Sequence, residues 1–575
     1  MKFLNKIIIV FLSITTFIAQ ATTDLPVVAD TMFFNGKIYT VNEAQPWAEA
    51  VAVRNGEIVY VGDENGIAQW IDDHTKVHDL QGKMLLPGFI DSHAHPVMGG
   101  AYIRSLSLDT FATPDHWYQQ ISEYAKQKPD DKILFGYGFL ASAFGTQGPS
   151  SAMLDRIISD RPVYIMDEGF HGAWANTKAM QLLGLNKKSK DPEPGFSYYK
   201  RDKAGNPTGY LLEGTATAGI EQLGIITADS IALGTADVIN IMNSYGITSV
   251  FDAGASDVDT LQLKVLKKVT EQGKMTVRMV ASHMIGTQAA AADAIKITKN
   301  KRAISKHDMY HINTLKIMND GTIEGKTAAM FEDYQGELGN KGVSVFTQAQ
   351  MNTLISQASS ENIDVHIHAL GERAISETLN AIELVRNNPK HNNSTSRFAI
   401  CHIQVMTDKD VQRFAKLNVI AQSTPLWASY DEFGKAFVSD DQFNRYFRFN
   451  SLKKAGVKMA FGSDFPATGA GAFGMSPIFN MEIGVTRQTP EQKNAPVQPN
   501  VNERLDMATL IKGYTLNGAY QLHMENEIGS IEVGKKADFV VLDRNLFDVD
   551  NYNIHKVKVL ETFLAGKKVY SATKL

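Results

Sequence analysis

The sequence has a single cysteine among 575 residues, and it carries no strong excess of charge of either sign. With only Cys401 available, an intrachain disulfide cannot form, so a disulfide-stapled scaffold is excluded. The position of Cys401 in the apolar segment 397–401 predicts a small buried side chain rather than a nucleophile. The 57 basic and 62 acidic residues give a net charge of -5, which shows no electrostatic footprint for nucleic acid.

Long apolar runs are also missing after the first residues, so stable membrane insertion is not expected. The apolar run 7–18 follows Lys2 and Lys6 and precedes the small-x-small sequence Ala19-Gln-Ala21. This arrangement is typical of a secretory signal peptide, residues 1–21, that is cleaved after Ala21. A membrane anchor is the alternative, but it needs a longer apolar span. A lipoprotein anchor would need a cysteine directly after the run, and none stands there. We therefore expect a mature chain in the periplasm or outside the cell.

The length exceeds one ordinary core, so two or three domains are expected. Residues 27–85 hold short alternating apolar runs between turn pairs such as Asn35-Gly36, a pattern that is typical of an antiparallel β unit. The last segment, 529–570, shows the same pattern. Because chain termini often lie close together, residues 22–84 and 525–575 are predicted to form one composite β domain.

Between these ends, apolar strand candidates alternate with helix patterns, which indicates a parallel sheet or barrel. The predicted strands are 86–90, 247–252, 275–281, 312–318, 364–367, 398–403, 419–422 and 457–461. Eight such units predict an α/β fold, a TIM (β/α)8 barrel over residues 85–524. The gap after the first strand is too long for a connection, so residues 100–235 are predicted to be an inserted lid or substrate wall.

A His-x-His pair, His93 and His95, follows the first predicted strand. Alternate strand residues point to one face, so both imidazoles can converge on zinc or another first-row metal. Alone, the pair is explained equally well as the end of a surface strand. Other predicted strands carry further candidates at their carboxyl ends: Lys316, His368, His402 and Asp464. Active sites of barrels lie at these ends, so the gathering favours a metal centre.

Longer motifs extend this pattern. They are LPGFIDSHAH at 86–95, DRPV at 160–163, HGAWAN at 171–176, PTGYLLEG at 207–214, DGT at 320–322, HALGERA at 368–374, GSD at 462–464, VTRQ at 485–488 and GSIEVGKKADFVVLD at 529–543. With these motifs the chain resembles the amidohydrolase superfamily, and most of all its amidohydrolase 3 or YtcJ-like branch, which includes N-substituted formamide deformylases. The resemblance covers nearly the whole mature chain. It implies a metal-dependent barrel with a small β-sandwich domain.

The resemblance also implies the metal ligands. His93 and His95 would bind the more buried ion, and His368 and His402 would bind a second one. Lys316 would bridge both as a carbamate made from CO₂. Carboxylation converts the lysine into an anionic bidentate ligand, which suits a position between two dications. We expect a divalent metal, zinc before others, as one or two ions.

Asp464 would contact the first ion and transfer protons, again by resemblance. The sequence departs from the family pattern at two positions that flank ligands. Glu372 stands where aspartate is usual, and Cys401 stands where glutamate is usual. These departures concern the surroundings of the metal site and leave its ligands in place.

Other candidates are less strongly indicated. His171, Trp174 and Glu213, in the inserted region, are expected to contact the substrate, with ordinary packing of the lid as the alternative. His366 is expected to pack against or support the site, because the family motif follows His368. His283 has no assigned role.

Together these features predict a secreted hydrolase that cleaves a non-peptide carbon–nitrogen bond, in an amide, formamide or cyclic amide, by metal-activated hydroxide. Two alternatives stay open, since a fold does not fix a function. The same site could hydrolyse an ester or lactone, or the barrel could be a catalytically dead solute-binding protein. The expected partner is a small-molecule substrate of undetermined identity. A homodimer is left open.

Overall fold

The computed structural model describes residues 28–110, 112–225, 227–254 and 260–572. The predicted signal peptide lies outside the described residues. No helix in the described part of the chain combines the length and apolarity that crossing a bilayer requires.

The amino-terminal segment forms short strands. They are β1 Thr31–Phe34, β2 Lys37–Tyr39, β3 Trp47–Ala48, β4 Ala50–Arg54, β5 Glu57–Gly62, β6 Lys76–Asp79 and β7 Met84–Pro87. The turn residues Asn35 and Asn55 adopt positive φ, a conformation that asparagine tolerates better than most residues. Four of these strands form a sheet in the order β5-β4-β1-β6, in which β1 runs antiparallel to β4 and parallel to β6.

The apolar run that was predicted to form one strand over 86–90 is divided between two sheets. Met84–Pro87 belongs to β7, and the first barrel strand, β8, begins only at Phe89 and ends at Ala94. Gly88 separates them, and its N–H donates to the carbonyl of Asp538. A Cβ at Gly88 would collide with Thr248, so the chain can change sheets here only because the residue is glycine.

The first helix, α1 Pro96–Tyr102, leads from β8 into the inserted region. This region contains β9 Leu106–Ser107, α2 Pro114–Gln127, β10 Leu134–Phe139, α3 Ser151–Asp155, β11 Val163–Asp167, β12 Gly172–Ala175, α4 Thr177–Leu182, β13 Tyr199–Arg201, β14 Pro207–Leu212 and α5 Gly214–Gln222. Its six strands form a sheet of their own in the order β13-β14-β12-β11-β10-β9. Its separate apolar core is built around Trp117, Phe139 and Trp174.

The rest of the barrel follows. Its elements are α6 Ala228–Ser244, β15 Ile247–Asp252, α7 Gln262–Glu271, β16 Arg278–Ile285, α8 Ala294–Ile304, β17 Tyr310–Met318, α9 Gln348–Ser360, β18 Asp364–Ala369, α10 Glu372–Arg386, β19 Phe398–His402, α11 Asp408–Lys416, β20 Ile420–Ser423, α12 Asp440–Asn444, α13 Phe449–Lys454, β21 Met459–Phe461, α14 Pro477–Thr486, α15 Met507–Gly513 and α16 Leu516–Gln521. The eight strands pair in parallel in the order β21-β20-β19-β18-β17-β16-β15-β8, which confirms the predicted eight-stranded parallel barrel.

Two backbone hydrogen bonds join the last barrel segment to the first strand. The N–H of Asp464 donates to the carbonyl of His93 at 2.7 Å, and the N–H of His95 donates to the carbonyl of Phe465 at 2.7 Å. The segment that follows β21 is thereby held against the carboxyl end of β8. This contact fixes Asp464 beside both residues of the His-x-His pair.

The barrel helices carry local signals that agree with their positions. Thr407 caps α11 by accepting a hydrogen bond from the N–H of Asp410. Acidic residues occupy the first turn of α11, and Arg413 and Lys416 occupy its last turn, which suits the helix dipole. Its apolar face, with Val411 and Phe414, is buried.

The chain ends with β22 Phe539–Leu542, β23 Val559–Leu564 and β24 Lys567–Ser571. These strands join amino-terminal strands in a six-stranded sheet of order β24-β23-β22-β7-β2-β3. Strand β22 runs antiparallel to β7, with Val540 opposite Leu86. A buried ion pair between Arg278 of β16 and Asp538 connects this sheet to the barrel.

Candidate metal centre

Three imidazoles converge on one carboxylate at the carboxyl ends of the barrel strands. Oδ1 of Asp464 lies 3.3 Å from Nε2 of His93 and 3.1 Å from Nε2 of His95. Its other oxygen, Oδ2, lies 3.6 Å from Nδ1 of His402. All four side chains come from the ends of the first, sixth and eighth barrel strands or lie within three residues of those ends.

The backbone is strained where two of these side chains leave their strands. His402 has φ 71° and Asp464 has φ 56°, which is left-handed backbone for residues other than glycine. Such conformations are uncommon and persist where the surrounding structure fixes them, often at functional sites. Here they turn the two side chains towards His93.

A second histidine, His366, contacts the ring of His93 and orients it. Nδ1 of His93 lies 2.8 Å from Nε2 of His366, and both rings are buried. The backbone N–H of His93 donates to Asp91, which also accepts hydrogen bonds from the N–H and hydroxyl of Ser463. If Nδ1 of His93 donates to His366, Nε2 is left with a lone pair that faces Asp464 and the neighbouring imidazoles. The structure thus places His366 in contact with a site residue rather than at the rim.

We expect His366→Ala to weaken metal binding about 10- to 100-fold, because groups that orient a ligand typically contribute that much. Competition with a chromophoric chelator would measure the dissociation constant. His116→Ala, at an exposed position in α2, is the matched control and should bind metal as the unchanged protein does. Equal affinities for all three proteins would show that His366 only fills space.

His368 and His402 lie ring to ring, with centroids 4.4 Å apart. Nε2 of His368 is 3.4 Å from the carbonyl oxygen of Gly321 and 3.7 Å from Oδ1 of Asp320. Among the described His, Cys, Asp and Glu residues, two groups bring ligand atoms within 4.8 Å of one another: His93 with His95 and Asp464, and His93 with Cys401 and His402. His368 is in neither group, so a second ion between His368 and His402 stays a prediction.

Lys316 and Cys401 contact each other beneath this cluster. Lys316 is 1% exposed, and its Nζ donates to Sγ of Cys401 at 3.1 Å. The thiol in turn donates to the carbonyl of Ile367 at 3.2 Å. Burial raises the pKa of Cys401 to about 12, although the nearby lysine opposes this. Cys401 is buried as its sequence context predicted, but its neighbour is a charged group.

The protonation states of the cluster suit a divalent ion. Burial holds the pKa of four histidines well below the ordinary value, so they are neutral: His93, His366, His368 and His402. Burial alone would raise the pKa of Asp464, but its hydrogen bond with His95 and the charges around it outweigh that effect and lower the pKa. Neutral imidazoles and an ionised carboxylate are the ligand forms that zinc takes.

Two buried ring nitrogens support the same conclusion. Nε2 of His93 and Nδ1 of His402 have no hydrogen-bond partner among the described residues. Buried polar atoms without partners are rare in proteins and call for an explanation such as an ion. Since both nitrogens face Asp464, the side chains present fit a divalent metal.

The inserted region supplies a second charged group to the site. His171 follows β11, and its Nδ1 lies 2.7 Å from Oε2 of Glu213, whose Oε1 accepts a hydrogen bond from Thr327. Burial disfavours the imidazolium, but the carboxylates of Glu213 and Asp167 outweigh it and raise the pKa of His171 to about 9. The ring of His171 is 5.6 Å from that of His368. The structure therefore brings His171 and Glu213 to the metal-ligand candidates.

Trp174 lies apart from these residues, and the structure does not bring it to the cavity that the other candidates line. Its side chain is fully buried in the core of the inserted sheet, and its indole N–H donates to the carbonyl of Ser150 at 2.8 Å. The motif around it alternates along β12, so Trp174 points into the core of the sheet. This placement favours the packing alternative for Trp174, and a contact with substrate stays a prediction.

Two acidic residues of the motifs, Asp320 and Glu372, make contacts that the motifs alone did not predict. Asp320 is fully buried and accepts hydrogen bonds from the backbone N–H groups of Ala329, Leu370 and Gly371, and burial raises its pKa to about 7. Asp320 thus fixes the loop that follows His368, a role that the motif did not reveal. Glu372 pairs with Arg445 at 2.6 Å.

Most of the candidate site residues line one cavity of about 300 Å³. Its polar lining contains the candidates His93, His95, His171, Glu213, Lys316, His368, His402 and Asp464. Its apolar lining includes Met98, Tyr102, Phe170, Phe196, Met284 and Met318. The volume suits a small molecule.

Comparison with known proteins agrees with this geometry. A family model described as "Amidohydrolase family" matches residues 76–570. The exoenzymes regulatory protein AepA of Pectobacterium carotovorum subsp. carotovorum is 31% identical over 441 residues, which cover 75% of this chain and 92% of that protein. The N-substituted formamide deformylase of Arthrobacter pascens is 27% identical over 560 residues, 95% of this chain and 99% of that protein.

Among solved structures, an uncharacterized metal-dependent hydrolase from Pyrococcus horikoshii superimposes with a TM-score of 0.69 at 22% identity. The alignment covers 91% of this chain and 99% of that protein. At this sequence identity the likeness shows a shared fold.

Proposed function

Because this chain belongs to the amidohydrolase family, we propose that it is a metal-dependent hydrolase that cleaves a non-peptide carbon–nitrogen bond in an amide, formamide or cyclic amide. One observation carries the proposal. Three imidazoles converge on the Asp464 carboxylate in a cavity that suits a small molecule, and two of them have a ring nitrogen without a hydrogen-bond partner in the part of the chain that the structure describes. The name of the formamide deformylase relative supports the choice of bond.

His93, His95 and Asp464 would hold the first ion, and His368 and His402 a second one, with zinc preferred by the nitrogen-rich set. When bound, a divalent ion supplies Lewis-acid polarisation of a carbonyl and a water that ionises near neutral pH. Asp464 would accept the proton of the attacking water and donate it to the departing nitrogen. An amine is a poor leaving group until it is protonated, so this transfer is needed for an unactivated amide.

The inserted region would supply the groups that contact the rest of the substrate. The imidazolium of His171, held by Glu213, faces the cavity and can stabilise negative charge that develops on a carbonyl oxygen. Apolar side chains such as Phe170 and Phe196 would contact a non-polar substituent. We propose on this basis that residues 100–235 act as a lid or substrate wall.

A panel of matched amides and esters tests the choice of bond. Each pair shares one acyl group, and released amine or alcohol is measured with the purified metal-loaded protein. We expect turnover of at least one amide or formamide. Turnover of esters or lactones alone would favour the second candidate function, and stoichiometric metal without any turnover would favour a solute-binding protein.

Lys316 is proposed to be a carboxylated ligand between the two ions. We expect Lys316→Ala to lower the metal content, with partial recovery when a short-chain carboxylic acid replaces the missing anionic group. Lys267→Ala, at a position 71% exposed in α7, is the control and should keep its metal. Unchanged metal content in Lys316→Ala would show that the lysine is not a ligand.

The two sheets built from the chain ends support a small β-sandwich domain over 22–84 and 525–575 around the barrel domain 85–524.

We also propose that the chain is exported, with cleavage after Ala21. Mass spectrometry of protein from its native host should find a chain that starts at Thr22. An intact Met1 on a cytoplasmic protein would contradict export.

A further inference from the structure

One helix of the inserted region forms part of the cavity wall. Helix α5 contributes four residues to the lining: Gly214, Thr217, Ala218 and Glu221. The last three follow Gly214 by three, four and seven positions, a spacing that places all four on one face of the helix. The first three are small and leave room beside the helix, whereas Glu221 carries a carboxylate on an exposed side chain. The face that α5 presents to the cavity is therefore uncharged along most of its length and acidic at its carboxyl end.

This acidic end lies away from the metal-ligand candidates. Glu213 directly precedes α5, and its carboxylate contacts His171, whose ring is 5.6 Å from that of His368. At 1.5 Å per residue, the path from Glu213 to Glu221 corresponds to about 12 Å along the helix axis. Glu213 is 7% exposed, whereas Glu221 is exposed to solvent. Glu221 thus lies near the opening of the cavity, about two helical turns from the groups at its inner end.

The carboxylate of Glu221 is available to a ligand. Within the part of the chain that the structure describes, no group donates a hydrogen bond to it or forms an ion pair with it. A second carboxylate lies next to the same cavity, because Oε1 of Glu193 accepts a hydrogen bond from the N–H of Gln288, the residue after the lining residue Thr287. The basic side chains of the lining are histidines and Lys316, which is only 1% exposed. A cation that enters the cavity away from the metal centre therefore meets carboxylates rather than basic side chains.

We propose that Glu221 binds a cationic group of the substrate, an ammonium or a guanidinium, through a charge-assisted hydrogen bond. The preferred substrate then carries this cation at one end and the cleavable amide or formamide at the other. Between its two ends it lies against apolar side chains such as Phe170 and Phe196. Because it names the substrate class of the proposed reaction, this inference rests on the proposed function.

Two probes of equal length test the inference by binding alone. N-(4-Aminobutyl)urea ends in an ammonium, and N-pentylurea has a methyl group in the same place. Their urea group imitates an amide but is hydrolysed slowly, so isothermal titration calorimetry of the full-length zinc-loaded protein can measure both dissociation constants. We expect the cationic probe to bind about fivefold more tightly at low salt, because a partly exposed ion pair contributes about that factor. This preference should shrink as the ionic strength rises.

Three variants assign the preference to one carboxylate. Glu221→Gln should bring the ratio of the two dissociation constants close to one. Glu221→Lys should reverse the choice, so that the anionic probe 5-ureidopentanoate binds more tightly than the cationic one. Glu123→Gln, which removes the charge of an exposed glutamate in α2, is the matched control and should keep the ratio. A variant that only distorts the cavity would weaken both probes alike and leave their ratio unchanged.

The outcomes separate this inference from the proposed function. Equal affinities of the unchanged protein for the two probes, or no binding of either one, overturn the inference whether or not amides are hydrolysed. A preference that persists in Glu221→Gln overturns the assignment to Glu221. A preference that disappears in Glu221→Gln, in a protein that hydrolyses no amide, supports the cation site and contradicts the proposed hydrolysis.

Discussion

Alanine in place of His93 or His402 is expected to remove most of the bound metal and to lower turnover about a thousandfold or more. Metal ions contribute several kcal/mol to such reactions, and each 1.36 kcal/mol corresponds to a factor of ten in rate. His93 has the larger expected effect, because it belongs to both groups of converging ligand atoms. It also contacts His366, so its loss leaves a second buried ring without its partner.

Elemental analysis of purified variants, together with the rate of amine release, checks this expectation. His116→Ala again serves as the control for an exposed histidine. Unchanged metal stoichiometry in both His93→Ala and His402→Ala would reject the assignment of the metal centre. Loss of metal from only His93→Ala would restrict the site to the ligands near Oδ1 of Asp464, and loss from only His402→Ala would restrict it to those near Oδ2.

Asp464→Asn is expected to lower kcat at least about a hundredfold, because general acid–base catalysis typically contributes about 10²–10⁴-fold. Asparagine keeps the size and an oxygen ligand but cannot transfer the proton. KM should change little, since the proton transfer is made only in the transition state. The loss should be smaller for substrates with good leaving groups, which need less protonation.

Asp464 also contacts three imidazoles, so part of the metal is expected to be lost with its charge. The rate must therefore be divided by the metal content. Asp308→Asn, at an exposed position, is the control. A near-normal kcat per bound metal on an unactivated amide would show that another group is the base. Glu372 is then a poor candidate, because it is paired with Arg445.

The sequence predicts the barrel well because each buried strand is a short apolar run that local patterning reveals. It does not reveal where such a run changes sheets. The run 84–90 is continuous in sequence, yet Gly88 divides it, because the close approach of Thr248 and the pairing with β22 are contacts distant in the chain. Local hydrophobicity contains no information about those partners.

The candidate site was predictable as a set of residue types at strand ends, but not as a set of contacts. Which side chains meet depends on the register of neighbouring strands. The register places Lys316 beside His366 and His368 beside Cys401, and this produces the Lys316–Cys401 contact that the motifs do not show. Trp174 is a different case. Its motif contributed to the family resemblance, but its side chain packs in the core of the inserted sheet, away from the candidate site.

The most direct test of the proposed function is a titration of metal-free protein with zinc while amine release from an unactivated amide is followed. We predict no turnover without metal and a rise in rate that is proportional to bound zinc. The rise should level off at one or two ions per chain. Full turnover by protein shown to be free of metal would contradict a metal-dependent carbon–nitrogen hydrolase.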